Sequence, residues 1–163
     1  MTKKKLPLSE IVVLDLTNVL SGPFATQILS DMGAEVIKIE KPGGDDSRNF
    51  GPFIKGKSSY FISLNRGKKS IVLDLKKKRE NTYFKKLLSQ SDILIDNFKP
   101  GTIEKFGFTS DYLSKKYPKL IQTKISGFGE TGPMQSLPAY DVIVQAMGGM
   151  MSITGNNKNE LCR

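Results

Sequence analysis

The chain has 163 residues, 38% of them apolar, with 25 Lys or Arg against 16 Asp or Glu and a formal charge of +9; this is about one globular domain, long enough to bury a single core. It contains no histidine and one cysteine, Cys162, which excludes imidazole-based nucleophilic catalysis, histidine metal sites and an intramolecular disulfide framework. The positive balance admits nucleic acid, an acidic surface or an anionic cofactor as partner, but clusters such as Lys76-Lys77-Lys78-Arg79 and Lys85-Lys86 read as solvated faces, and no nucleic-acid-binding motif accompanies them.

Glu10 and Asp15 interrupt the apolar run from Leu6 to Leu20, so the amino terminus reads as neither a signal peptide nor a membrane anchor, and a cytoplasmic location is expected. Ile11-Val-Val-Leu-Asp-Leu16 is a short β-branched run predicted as a buried strand. Ser21, Gly22 and Pro23 then offer a cap and a fixed φ for a helix start. Phe24, Ile28 and Met32 recur every four residues and give that helix one apolar stripe, ending at Gly33. Glu35-Val-Ile-Lys-Ile-Glu40 alternates and is the next strand. Strand, helix and strand at this spacing predict a parallel, right-handed crossover.

Lys41 to Lys57 is rich in Gly, Pro, Asp and Ser without a period and reads as a long loop. Tyr60–Leu64 and Ser70–Leu75 are predicted as strands on either side of a turn at Asn65-Arg-Gly67. A lysine-rich helix through Tyr83, Leu87 and Leu88 leads to a buried strand at Asp92–Asp96. Short helices are expected around Thr102–Phe106 and Ser110–Tyr117, and another strand at Lys119–Ile125. Ile143, Ala146, Met147 and Met150 mark a last helix with an apolar face. The polar residues from Asn156 to Arg163 carry no terminating device and read as an interrupted loop. Alternating strands and helices argue for a three-layer α/β fold.

The loop after the first strand lies at the carboxyl end of a parallel sheet, where open α/β folds bind ligands, although an ordinary β-to-α connection would look the same. Neither a G-x-G-x-x-G fingerprint nor a Walker P-loop is present. The run from Ser21 to Arg48, with Glu40-Lys-Pro-Gly-Gly-Asp-Asp-Ser-Arg48 at its end, closely resembles the opening of the family III CoA-transferases (the CaiB/BaiF family), which include formyl-CoA transferase, carnitine CoA-transferase and the α-methylacyl-CoA racemases. The resemblance continues through Leu64-Asn-Arg-Gly-Lys-Lys-Ser-Ile-Val-Leu-Asp-Leu-Lys76, Asp96-Asn-Phe-Lys-Pro-Gly101, Lys105-Phe-Gly107, Ile125-Ser-Gly-Phe-Gly129 and Tyr140-Asp141 with Gln145-Ala146, in family order from Leu8 to Gly155.

The resemblance implies a Rossmann-like CoA-binding large domain, with residues 1–163 as its amino-terminal part and without the small domain and the carboxyl-terminal return segment. It implies CoA or acyl-CoA as substrate, no covalent cofactor and no metal. By position, Val19, Leu20 and Ser21 match residues at the adenosine and pantetheine part of CoA. Lys41, Leu73 and Lys76 match a phosphate cation, an adenine wall and a further cation; Asn97 and Phe98 match the turn beside the pantetheine arm. Lys105, like Lys41, stands where relatives often carry arginine, which keeps the charge but loses the bidentate fork.

Tyr140 matches the transferases, whereas the racemase branch has a histidine there. The family nucleophile is an aspartate that is expected beyond Arg163, and Asp96 and Asp141 fall in blocks with structural roles. The chain is therefore expected to be inactive alone, to form a homodimer or to require a carboxyl-terminal partner chain, and to leave apolar faces unpartnered. A CoA-binding module completed by a separate chain, and a racemase fragment, are the alternatives.

Overall fold

The computed structural model describes residues 5–155, so the polar stretch 156–163, with Cys162, lies outside the described residues. Two compact units divide after Ile125. The first is built on five parallel strands: β1 (Val12–Asp15), β2 (Glu35–Glu40), β5 (Lys69–Val72), β6 (Ile93–Asp96) and β7 (Ile121–Lys124), in the order β5-β2-β1-β6-β7. Counted along the chain, the sheet order is 3-2-1-4-5, and it reverses direction between β1 and β6. That reversal is the switch point at which open α/β sheets form a crevice.

Alternation along the strands gives the sheet two buried faces. Leu14, Leu16, Ile39 and Leu94 point to one face, where they pack with Phe84 and Leu88 of α3 (Lys78–Leu88), Ile103 of α4 (Thr102–Lys105), Phe108, and Leu113 of α5 (Ser110–Lys116). Phe84 meets Phe108 edge to face at 4.8 Å. Val13, Val36 and Ile95 point the other way and pack with Leu29 of α1 (Ser21–Asp31). The layers are helix, sheet and helix, as the alternating pattern predicts.

Several local expectations change. The helix α1 forms where expected, but Phe24, Ile28 and Met32 are 55%, 46% and 41% exposed, whereas Gly22, Pro23, Thr26 and Gln27 are buried. Its inward face is polar because it meets ionised groups at the end of β1. Ser21 is the first helical residue rather than the cap, and no side chain caps this terminus.

Tyr60–Leu64 is not a strand but lies in α2 (Ser59–Asn65), whose Phe61 amide donates to the Ser58 hydroxyl at 3.0 Å. A short apolar run fits either period, and the Ser58 cap decides for helix. The expected loop at 41–57 contains a 3₁₀ turn at Asp46–Asn49, and a two-stranded antiparallel ladder pairs β3 (Phe53–Ile54) with β4 (Lys57–Ser58).

In the second unit, α6 (Asp141–Met147) stops at Gly148, and Gly149 at φ 75° separates it from α7 (Met150–Ile153), so the single last helix is two. Val142, Val144, Met147, Met150 and Ile153 of these helices are exposed. No described helix is long and apolar enough to cross a membrane.

Candidate nucleotide-binding edge of the sheet

Because all five strands are parallel, the residues that follow them gather at one edge. Thr17 to Ser21 follow β1, Lys41 follows β2, Leu73 to Lys76 follow β5, and Asn97 and Phe98 follow β6. Lys105 ends α4, the helix that comes after β6. The topology thus carries Val19, Leu20, Ser21, Lys41, Leu73, Lys76, Asn97 and Phe98 to the carboxyl end of the sheet.

The loop after β1 is held one residue at a time. The Thr17 carbonyl accepts from the Lys38 ammonium at 2.6 Å. Asn18 is bonded on both sides by one amide: its N–H donates to Asn97 Oδ1 at 2.9 Å, and its carbonyl accepts from Asn97 Nδ2 at 2.8 Å. The Val19 N–H donates to Asp45 Oδ1 at 3.3 Å. Val19 has φ 70°, an uncommon conformation for a β-branched residue. Leu20 and Ser21 are exposed beyond this anchor, beside a helix terminus whose first amides have no side-chain cap. Free helix-terminal amides suit a phosphate or a carbonyl oxygen.

Beneath the loop lies a set of buried ion pairs. Lys38 and Asp15 are register partners on β2 and β1. Lys38 Nζ meets Asp45 Oδ2 at 2.9 Å, with the two side chains 1% and 0% exposed. The ammonium of Lys68, also buried, lies 2.8–3.1 Å from Asp15 Oδ2, Thr26 Oγ1, the Pro23 carbonyl and Asn65 Oδ1, four acceptors that share its three N–H groups. Burial pushes its ammonium below the ordinary value, against the opposing pull of Asp15.

Burial alone would raise the Asp45 carboxyl, but hydrogen bonds from Ser47 and Lys38, together with the charge of Lys38, bring it below the ordinary range. Glu40 behaves in the same way. Burial works to raise it, yet a bidentate Arg48 at 2.6 and 2.7 Å, the Ser70 hydroxyl and the Asp45 amide hold it at about 2. Arg48 also stacks on Phe61, 3.8 Å from the ring centre.

Of the expected cations, Lys41 is exposed and already paired with Asp46 at 2.7 Å. Lys76 and Lys105 are exposed and make no ion pair among the described residues. Leu73 is buried in the core and also borders a cavity of about 800 Å³, shared with Pro42, Ile71, Val72, Tyr83 and Leu87; of the expected residues, it alone lines that space. Phe98 packs partly buried against the core, and its amide donates to Asp96 Oδ1 at 3.0 Å. Asn97 commits its side chain to Asn18, so it acts on the loop. Tyr140, in the second unit, is 64% exposed and precedes α6.

Sequence reasoning passed over Lys38, Asp45 and Lys68. The available signal was the inward face of β2, where Val36, Lys38 and Glu40 fall at every second position of a central strand.

The family model described as CoA-transferase family III matches residues 8–163. The chain is 50% identical over 154 residues to the acetyl-CoA:oxalate CoA-transferase of Acetobacter aceti, covering 94% of this chain and 40% of that protein. It is 46% identical over 151 residues to the succinyl-CoA:glutarate CoA-transferase of Mus musculus, covering 91% and 35%. The crystal structure of a CaiB/BaiF family protein from Brucella suis superposes with a TM-score of 0.91 at 38% identity, over 98% of this chain and 44% of that one. The chain spans about two fifths of the length of these relatives.

Proposed function

Because the chain belongs to CoA-transferase family III, we propose that it forms the nucleotide-binding part of an acyl-CoA:carboxylate CoA-transferase. The observation that carries this reading is the loop after β1, pinned through Thr17, Asn18 and Val19 at the switch point of the sheet, with Leu20 and Ser21 left exposed. Their backbone groups would meet the adenosine and pantetheine part of CoA. Lys76 and Lys105, with Lys41 if it releases Asp46, would meet the phosphates. Asn97 would act by fixing Asn18, and Leu73 would contribute an apolar wall.

In the complete enzyme the chemistry is covalent. An aspartate, expected beyond Arg163, attacks the donor thioester carbonyl and expels the CoA thiolate, leaving a mixed anhydride. The thiolate then attacks the aspartyl carbonyl, releases the donor acid and leaves an aspartyl-CoA thioester. The acceptor carboxylate displaces the thiolate to give a second anhydride. Attack of the thiolate on its acyl carbonyl yields the new acyl-CoA and frees the aspartate. Backbone donors of a glycine-rich loop outside these residues would stabilise the oxyanions. The relatives named above support a small dicarboxylate as acceptor, and Tyr140 supports transfer over racemisation. A homodimer or a carboxyl-terminal partner chain would complete the site, in the cytoplasm, a reducing compartment with which a single cysteine is compatible.

Calorimetry with CoA, dephospho-CoA and NAD tests the reading. CoA is expected to bind about three- to tenfold more tightly than dephospho-CoA, since charge-assisted contacts at exposed lysines are weakened by water. Equal affinities would remove the phosphate assignment, and tighter binding of NAD would remove the CoA site. Residues 1–163 alone are expected to show no transfer activity with any donor and acceptor.

A further inference from the structure

We propose that Asp45, with Lys38 as its counter-ion, is a positioning residue that sets the backbone of the CoA-binding loop by holding Val19 in the left-handed conformation; this rests on the CoA-binding reading above. The Lys38–Asp45 pair grips the loop on both sides of Asn18. Lys38 takes the Thr17 carbonyl at 2.6 Å, and Asp45 takes the Val19 N–H at 3.3 Å. Asp45 is itself fixed, because its Oδ1 accepts from the Ser47 amide at 2.9 Å and the Ser47 hydroxyl at 2.7 Å. Lys38 rises from a central strand and cannot drift.

A fully buried ion pair is a weak source of stability, since desolvation offsets most of the Coulomb attraction and apolar replacements of similar volume are often neutral. What an apolar pair cannot do is orient a carbonyl and an N–H two residues apart. Val19 makes that orientation matter: a β-branched residue at φ 70° relaxes toward negative φ unless its surroundings hold it. Relaxation would swing Leu20 and Ser21, the two exposed residues that follow. Asp45 also shares its loop with Lys41, so one segment carries a candidate phosphate cation and fixes the loop after β1.

The test replaces the pair by apolar residues of similar size, Lys38→Met with Asp45→Leu, and reads CoA affinity by calorimetry, cooperativity by thermal unfolding, and amide hydrogen exchange over residues 17–21. The variant is expected to unfold cooperatively, to bind CoA about tenfold more weakly and to exchange faster over 17–21. Adding Val19→Gly in that background is expected to recover about threefold or more of the affinity, because glycine takes positive φ without a steric cost. A merely structural role predicts no such recovery.

Wild-type affinity in the apolar pair, or no gain from glycine, overturns the proposal. If the apolar pair does not fold, Val19→Gly and Val19→Ala in the otherwise native chain replace it: glycine must bind CoA more tightly than alanine, and the reverse order overturns the proposal. If the native chain binds no CoA, the functional reading falls by itself. Exchange then decides the positioning role, which unchanged protection of residues 17–21 in the apolar pair would refute.

Discussion

Replacing Glu40 by glutamine keeps the shape of the side chain and removes the charge that receives both arms of Arg48. The native carboxyl is 1% exposed and sits at about 2 instead of its ordinary 4.5. A carboxyl depressed by that much contributes about 3 kcal/mol of stability. The contribution is fully present above 4.5, the value in the unfolded chain, and is lost as pH falls through about 2. Arg48 is 42% exposed, so after the substitution water recovers part of its interaction, and the expected loss at neutral pH is about 2–3 kcal/mol. Urea unfolding followed by far-ultraviolet circular dichroism, repeated from neutrality to about pH 2, reads the difference between native chain and variant. Asp45 is depressed in both proteins, so its own acid loss cancels, and the two stability curves should converge below pH 4.5. An offset that stays constant with pH, or no offset at neutrality, would contradict the assignment of Glu40 as an ionised strut.

Ser58→Ala removes the acceptor for the Phe61 amide and the hydroxyl that lies 2.9 Å from the Ser47 carbonyl, and should cost about 1–2 kcal/mol in thermal unfolding. Gly22→Ala would put a methyl carbon 2.2 Å from Thr17 Cβ, so the start of α1 and the pinned loop must part; a stability loss of about 1–3 kcal/mol should come with weaker CoA binding in calorimetry. Phe84→Ala empties a fully buried site beside Phe108 and should cost about 3–5 kcal/mol in urea unfolding without changing the ratio of CoA to dephospho-CoA affinity.

The strands β1, β2, β6 and β7 and the helices α1 and α3 were legible because apolar period and turn residues agree over their lengths. Tyr60–Leu64 misleads because its apolar run is too short to show a period, and its helix depends on Ser58 and on contact with Arg48. The stripe Phe24, Ile28 and Met32 is a true helical period, but it does not say which way the helix turns; Thr26 faces inward to meet Asp15 at 2.6 Å. Gly148 and Gly149 break a period that continues through them. That the residues after β1, β2, β5 and β6 gather at the carboxyl edge of the sheet was legible, since that follows from parallel topology. The ion pairs below them were not, because lysine is normally solvated and its partners here, Asp45 and Asp15, lie in other elements of the chain.

The way the loop after β1 is held also constrains the order of folding. Its three anchors bridge sequence separations of 21, 79 and 26 residues, and local helix or hairpin formation cannot supply any of them. Closing the longest requires β6 to have docked beside β1, a non-local step that is slow compared with helix growth. A partly folded chain can therefore hold α1 and α3 while the loop after β1 is still unformed. On the proposed CoA-binding reading, affinity for CoA would appear only once β6 has docked beside β1, so that CoA would be a selective trap for chains that have made this contact and a kinetic probe of it.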